Sequence, residues 1–200
     1  FSIKSVTGSY STSVTTGTDG SATLSAIPAG VYVVREESVP EPYIVTNTEQ
    51  TVALRPGKTS EVIFVDYEKP GLEILKKNIA TGEPIEGVTY LIEQIDGSYS
   101  TSATTDSVGR IFLDSIPVGS YRITEKNVPS HVILSEIPQE VYLEAGCTRT
   151  VTFFNAVKPS LTILKRNSVT GDPLSNAKFH IYYGSDNTTT GEINDLGVFT

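Results

Sequence analysis

The segment Ile116-Pro117-Val118-Gly119-Ser120-Tyr121-Arg122-Ile123-Thr124-Glu125 decides the fold. Its first half reads as a tight turn. In its second half Tyr121, Ile123 and Glu125 alternate with polar residues, the period of a strand with one buried face. The same element stands earlier as Ile27-Pro28-Ala29-Gly30-Val31-Tyr32, followed by Val34 and Glu36. The offset is 89 residues, and it extends far beyond the turn. Sliding the chain by 89 lays residues 1–70 on 90–159 without a gap, with about 28 of the 70 pairs identical. Gly8–Ser13 (GSYSTS) returns at Gly97–Ser102, and Lys69-Pro70 returns as Lys158-Pro159. Leu72-Glu73-Ile74-Leu75-Lys76 returns as Leu161-Thr162-Ile163-Leu164-Lys165.

A period of 89 is too long for a solenoid unit and suits a small independent domain. The expected organisation is the C-terminal part of one repeat at 1–69, a complete repeat at 70–158 and the N-terminal part of a third at 159–200. The 200-residue chain, which opens on Phe1 without Met, is expected to be a piece of something longer. Within a repeat, short Val-, Ile-, Thr- and Tyr-rich runs alternate with Gly, Pro, Asp and Asn turns at roughly 8–12 residue spacing, the pattern of a β-sandwich. Strands are predicted near 72–78, 88–95, 99–105, 110–114, 119–126, 138–143 and 149–156. No stretch holds helical periodicity over three turns. The fold class is therefore all-β: tandem immunoglobulin-like or prealbumin-like sandwiches with the outer two truncated. The joints at Glu68–Gly71 and Val157–Ser160 are short and contain Pro, which predicts a semi-rigid rod.

Three polar residues fall on apolar faces. In the complete repeat the inward triplets are Leu72, Ile74, Lys76, then Tyr121, Ile123, Glu125, then Val151, Phe153, Asn155. The outer repeats carry Tyr32, Val34, Glu36, then Val62, Phe64, Asp66, and Leu161, Ile163, Lys165. A Lys, a Glu and an Asn or Asp aimed into a core are costly unless they meet. Either they are edge residues whose heads escape to solvent, or they form a buried ion pair, or they join covalently. Recurrence of all of them at the 89-residue shift favours the covalent reading. Burial favours the neutral forms of Lys and Glu. A neutral amine is a nucleophile, and a protonated carboxyl can polarise an amide carbonyl and shuttle protons. The product would be a Lys76–Asn155 isopeptide bond with loss of ammonia, formed once per molecule without turnover.

These residues resemble tandem Cna B-type domains (SpaA-like, prealbumin-like) of Gram-positive surface proteins and pilins. The likeness rests on Leu72-x-Ile74-x-Lys76, Thr81-Gly82-x-Pro84-Ile85-x-Gly87, Ile116-Pro117-x-Gly119-x-Tyr121-x-Ile123-x-Glu125 and Phe153-x-Asn155. It implies that Lys76 joins Asn155 beside a catalytic Glu125. It also implies that Glu36 and Asp66 keep the roles of catalyst and acceptor in the first repeat, and Lys165 that of nucleophile in the third. Asp66 departs from the Asn, and its bond would lose water. Lys4 cannot stand in as its nucleophile, since the shift places it on Glu93. The resemblance implies an extracellular, wall-attached stalk or spacer of an adhesin or pilin. The alternative it leaves is an adhesive module contacting host matrix protein or glycan through loops such as Asp96–Ser98 and Ser185–Thr190.

Composition agrees with a soluble globular chain: net charge −8, 19% charged and 38% hydrophobic residues, with Ser and Thr near a quarter of the total. An acidic chain without basic clusters speaks against a nucleic-acid partner. No apolar run reaches the roughly 18 residues of a membrane helix. The single Cys, Cys147, excludes a disulfide framework and reads as an incidental thiol in a turn. His131 and His180 have no ligand-spaced companions, so neither metal nor cofactor is expected. Asn187-Thr188-Thr189 is a formal glycosylation sequon of the kind that arises by chance. No Gly-x-Ser-x-Gly, phosphate loop or Cys-x-x-Cys occurs, and no turnover enzyme is expected. The partners expected are the neighbouring repeats.

Overall fold

The computed structural model describes residues 1–183 and 187–192, with side chains described through Phe179. The chain divides into two compact units, Phe1–Val157 and Lys158–Thr200. Every regular element among the described residues is a strand.

In the second half of the first unit, the predicted runs form seven strands: β7 (Gly71–Asn78), β8 (Thr89–Gln94), β9 (Ser100–Thr104), β10 (Arg110–Leu113), β11 (Gly119–Asn127), β12 (Gln139–Leu143) and β13 (Thr148–Asn155). They build two sheets, ordered β10-β7-β13 and β12-β11-β8-β9. The first and last strands, β7 and β13, are parallel neighbours, with Lys76 opposite Phe153 and Asn78 opposite Asn155. All other pairings in these two sheets are antiparallel. The inward residues of both sheets meet in one core, with Leu72, Ile74, Tyr90, Ile92, Tyr121 and Ile123 removed from solvent.

The Ile-Pro-x-Gly-x-Tyr segment is held by its own tyrosine. The Tyr121 hydroxyl donates to the Pro117 carbonyl at 2.7 Å, and Tyr32 repeats this to Pro28 at 2.9 Å. The hydroxyl of a core tyrosine thereby closes the turn that feeds its strand, which explains why Pro, Gly and Tyr keep their spacing in both copies.

In residues 1–69 half of this architecture forms. Strands β1 (Ser2–Ser5), β2 (Ser11–Ser13), β3 (Gly30–Arg35) and β5 (Glu49–Leu54) make one antiparallel sheet ordered β2-β1-β3-β5. It matches β9-β8-β11-β12 at the 89-residue shift. Strands β4 (Tyr43–Ile44) and β6 (Tyr67–Glu68) pair separately, where the complete copy has a Val132–Val157 bridge. Residues 21–24 and 59–66, equivalent to β10 and β13, form no strand. In the complete copy both pair with β7, and no strand occupies that place in 1–69. The joint itself is bonded. Lys69 N–H donates to the Pro42 carbonyl, Gly146 N–H to Glu68 and Gly71 N–H to Cys147.

In the second unit the expected inward triplet is not buried. Leu161 and Lys165 are exposed and Ile163 is half-buried. Strands β14 (Lys178–Tyr183) and β15 (Asn187–Glu192) form a hairpin. The expected loop Ser185–Thr190 is thus corrected: Asn187–Thr190 pair in β15, and Ser185 lies outside the described residues. The side chains of His180 and of the Asn187–Thr189 sequon lie outside them as well. Asp96–Ser98 is a surface turn and Cys147 is exposed, both as read from the sequence.

Candidate functional site

Three strands aim their terminal polar residues at one buried point between the sheets. Lys76 nears the end of β7, Glu125 lies late in β11 and Asn155 ends β13. The side chains of Lys76 and Glu125 are wholly buried, and Asn155 is 3% exposed. Lys76 Nζ lies 2.6 Å from Glu125 Oε2, and Asn155 Nδ2 lies 2.5 Å from Glu125 Oε1. One carboxyl therefore bridges an amine and a carboxamide drawn from adjacent parallel strands.

The surroundings are apolar on one side. Lys76 Nζ sits 5.8 Å from the ring centroids of both Tyr90 and Phe153, which pack against each other at 4.8 Å. Burial drives the Lys76 amine below its ordinary value, and Glu125 opposes this only in part. The site thus favours the uncharged, nucleophilic amine over an exposed lysine. Asn155 Oδ1 is buried without a partner. An orphaned amide oxygen beside a carboxyl is costly in place, and it lies next to a group that can donate once protonated.

Backbone geometry keeps the nucleophile strand fixed. Lys76 N–H donates to the Gly109 carbonyl, and the Lys76 carbonyl accepts from Ile85 N–H. Gly109 has φ +69°, and a Cβ there would lie 2.5 Å from the Lys76 carbonyl oxygen. Glycine is required at this position both by conformation and by contact.

Two participants have no place in the sequence reading. The Tyr90 hydroxyl donates to Glu125 Oε2 at 3.2 Å, and the Ser135 backbone N–H donates to Oε1 at 3.0 Å. Burial and the neighbouring Glu125 push the Tyr90 phenol well above its ordinary range, so it remains an O–H donor. Tyr90 was hidden because tyrosine counts as apolar in a Val88, Tyr90, Ile92 alternation. A signal existed in the shift, which aligns Tyr90 with Phe1 and Phe179. A backbone donor such as Ser135 leaves no mark in a sequence.

In the first repeat, Glu36 is buried and its Oε2 has no partner. Burial raises its carboxyl above the ordinary value, and Asp66 raises it further. Asp66 accepts from Thr46 N–H at 3.2 Å. The structure brings Glu36 and Asp66, expected as catalyst and acceptor, together without a lysine. Lys165, the expected nucleophile of the last segment, is exposed. Among the described residues no group of three His, Cys, Asp or Glu is placed to hold a metal ion.

A family model described as SpaA, prealbumin-like fold domain, matches the chain twice, at residues 1–68 and 70–157. The chain belongs to this family. The two SpaA matches lie on the two copies that share the turn and the strand order described above. No curated protein matches the chain. Among solved structures, the Bacillus anthracis TIE protein is 23% identical with a TM-score of 0.45, over 98% of this chain and 38% of that one. The streptococcal ancillary pilin is 20% identical at a TM-score of 0.42, covering 86% of this chain and 62% of that one. GBS52, the minor pilin of Streptococcus agalactiae, is 20% identical at 0.43, covering 75% and 69%. The chain thus spans well under two thirds of the TIE protein and somewhat under two thirds of the ancillary pilin.

Proposed function

We propose that this SpaA-family chain is a structural spacer of a Gram-positive surface protein or pilin, built from repeats at 1–69, 70–158 and 159–200. In this reading the middle repeat locks itself with an isopeptide bond between Lys76 and Asn155. The observation that carries it is the wholly buried Glu125 carboxyl, in hydrogen-bond reach of both Lys76 Nζ and the Asn155 amide.

The chemistry balances without a cofactor. Neutral Lys76 Nζ attacks Asn155 Cγ while protonated Glu125 donates to the amide oxygen, which reaches Oε1 by a half-turn of the carboxamide. The 2.5 Å separation suits an O–H···O bond. A proton from the amine passes through Glu125 to Nδ2, which leaves as ammonia. An open groove lined by Leu134, Ser135 and Phe154 reaches Asn155 and gives ammonia a way out. Holding the amine and the amide on the two oxygens of one buried carboxyl supplies the effective concentration.

The mechanical consequence follows from topology. Load entering at the start of β7 travels to Lys76, crosses to Asn155 at the end of β13 and leaves the domain. The residues between them carry none of it. Without the bond, that segment would extend by roughly 260–280 Å at ~3.3–3.6 Å per residue.

Intact mass of the folded chain tests the bond. The expected result is loss of one ammonia, abolished in Lys76→Ala and in Glu125→Ala. An unmodified mass from folded wild-type protein overturns the crosslink.

A further inference from the structure

We infer that the Tyr90 hydroxyl is a positioning group that sets which oxygen of Glu125 carries the reactive proton. The inference rests on the Lys76–Asn155 reading and deepens it. The two carboxyl oxygens have separate tasks. Oε1 faces the Asn155 amide at 2.5 Å, and Oε2 faces Lys76 Nζ at 2.6 Å. With the carboxamide turned by half, a proton on Oε1 points at the carbonyl to be polarised. A proton on Oε2 points at the lysine, where it ties up the lone pair needed for attack. The productive and unproductive arrangements differ only in this choice.

Tyr90 stands on the side that matters. Its hydroxyl donates to Oε2 at 3.2 Å, from a residue with no solvent exposure. The Lys76 amine also donates to Oε2, so this oxygen accepts two hydrogen bonds; once the Asn155 carboxamide has made its half-turn, Oε1 keeps only the Ser135 N–H, and the carboxyl proton is left on Oε1. A buried donor in a low-dielectric site biases such an equilibrium more than it would in water. Ser135 N–H on Oε1 fixes the carboxyl plane, and as a single donor it is outweighed by the pair on Oε2.

The other copies indicate when the hydroxyl is needed. Phe1 takes the Tyr90 position in the first repeat, and its ring packs on Phe64 at 5.0 Å, much as Tyr90 packs on Phe153. The ring is thus common to both sites and the hydroxyl is not. The first repeat also has Asp66 where the middle repeat has Asn155. Two carboxyls side by side share a proton, because both cannot ionise together, and their repulsion keeps it between them. A carboxamide offers no such partner. The lone carboxyl of the middle repeat needs an outside donor to hold its proton on the acceptor side, and Tyr90 supplies it.

The test follows ammonia loss over time by intact mass during the first folding of the full chain, isolated in denaturant from insoluble material that has not yet folded. It compares Tyr90→Phe with a fluorotyrosine at the same position. Phe keeps the ring and removes the donor, and about tenfold slower bond formation is expected, the effect of one buried hydrogen bond. Fluorotyrosine, a stronger donor of nearly the same size, is expected to match or exceed the wild-type rate. A merely structural ring would treat Phe and fluorotyrosine alike. Formation by Tyr90→Phe within twofold of wild type overturns the inference, as does a fluorotyrosine chain as slow as the Phe variant. Either result leaves the crosslink itself intact. Absence of ammonia loss in wild type overturns both.

Discussion

Glu125 and Glu36 stand at the same place in two copies of one repeat, yet only Glu125 has partners for both oxygens. Its Oε2 meets Lys76 and Tyr90, and its Oε1 meets Asn155 and Ser135. Glu36 is buried with one oxygen unpaired. The difference traces to a single strand. β7 is the middle of the sheet β10-β7-β13, so it pairs with both neighbours and also carries the lysine. Where no strand takes that place, residues 21–24 and 59–66 lose their ladder partners together. The other sheet persists in both copies, because its strands pair with one another antiparallel. One element thus decides both the integrity of the sandwich and the chemistry of the site, whereas the four-stranded sheet depends on neither.

The sharpest way to widen or close this contrast is to remove the acceptor. Asn155→Ala leaves β7 in place and removes the proposed crosslink. The closed loop of 79 residues, treated like a disulfide loop, is worth about 4–5 kcal/mol of stability. Chemical denaturation should show a loss of that size for the segment around Tyr90 and Tyr121, and no change around Tyr32. Equal stability of variant and wild type would mean that the middle repeat is held by packing alone.

A smaller contrast lies in two equivalent glycines. Gly109 and Gly20 share a left-handed backbone, with φ +69° and +74°. A Cβ at Gly109 would meet the Lys76 carbonyl at 2.5 Å, whereas at Gly20 nothing lies within 4 Å. Gly20→Ala should therefore cost only the conformational strain, about 1–2 kcal/mol. Gly109→Ala adds displacement of β7 at Lys76 and should also slow the ammonia loss proposed for the middle repeat. Thermal denaturation gives the first comparison and intact mass the second. Equal costs at the two sites would show that β7 yields easily at Lys76.

The repeat makes clear which parts of this were legible. Strand positions in 70–158 followed from alternation and turn residues, and β7 to β13 lie within two residues of the predicted spans. The inward triplets identified Lys76, Glu125 and Asn155 because a polar side chain at an apolar phase is conspicuous. The same phase did not bury Leu161 or Lys165, since alternation states which side chains share a face and not whether another sheet covers it. Tyr90 escaped because its ring satisfies the apolar pattern while its hydroxyl does the polar task. The parallel pairing of β7 with β13 was also unreadable, as no local signal couples residues 77 positions apart.

The smallest expected effect concerns Glu36 alone. Burial raises its carboxyl above the ordinary value, and the like charge of Asp66 raises it further. The folded state therefore holds this proton more tightly than the unfolded chain does, and linkage fixes the sign: stability falls as pH rises through the interval between the unfolded and folded values. Below that interval Glu36 is neutral in both states and costs nothing electrostatically. Above it, the folded state must ionise a buried group beside Asp66. Glu36→Gln keeps the shape and removes the titration. It should stabilise residues 1–69 at neutral pH and leave their acid stability nearly unchanged, flattening the pH profile of the Tyr32 region. Glu125→Gln cannot show the same gain, because that carboxyl has partners on both oxygens and the exchange breaks them. If Glu36→Gln destabilises the first repeat at pH 7, then Glu36 is paired in solution, and the contrast between the two copies is smaller than the structure shows.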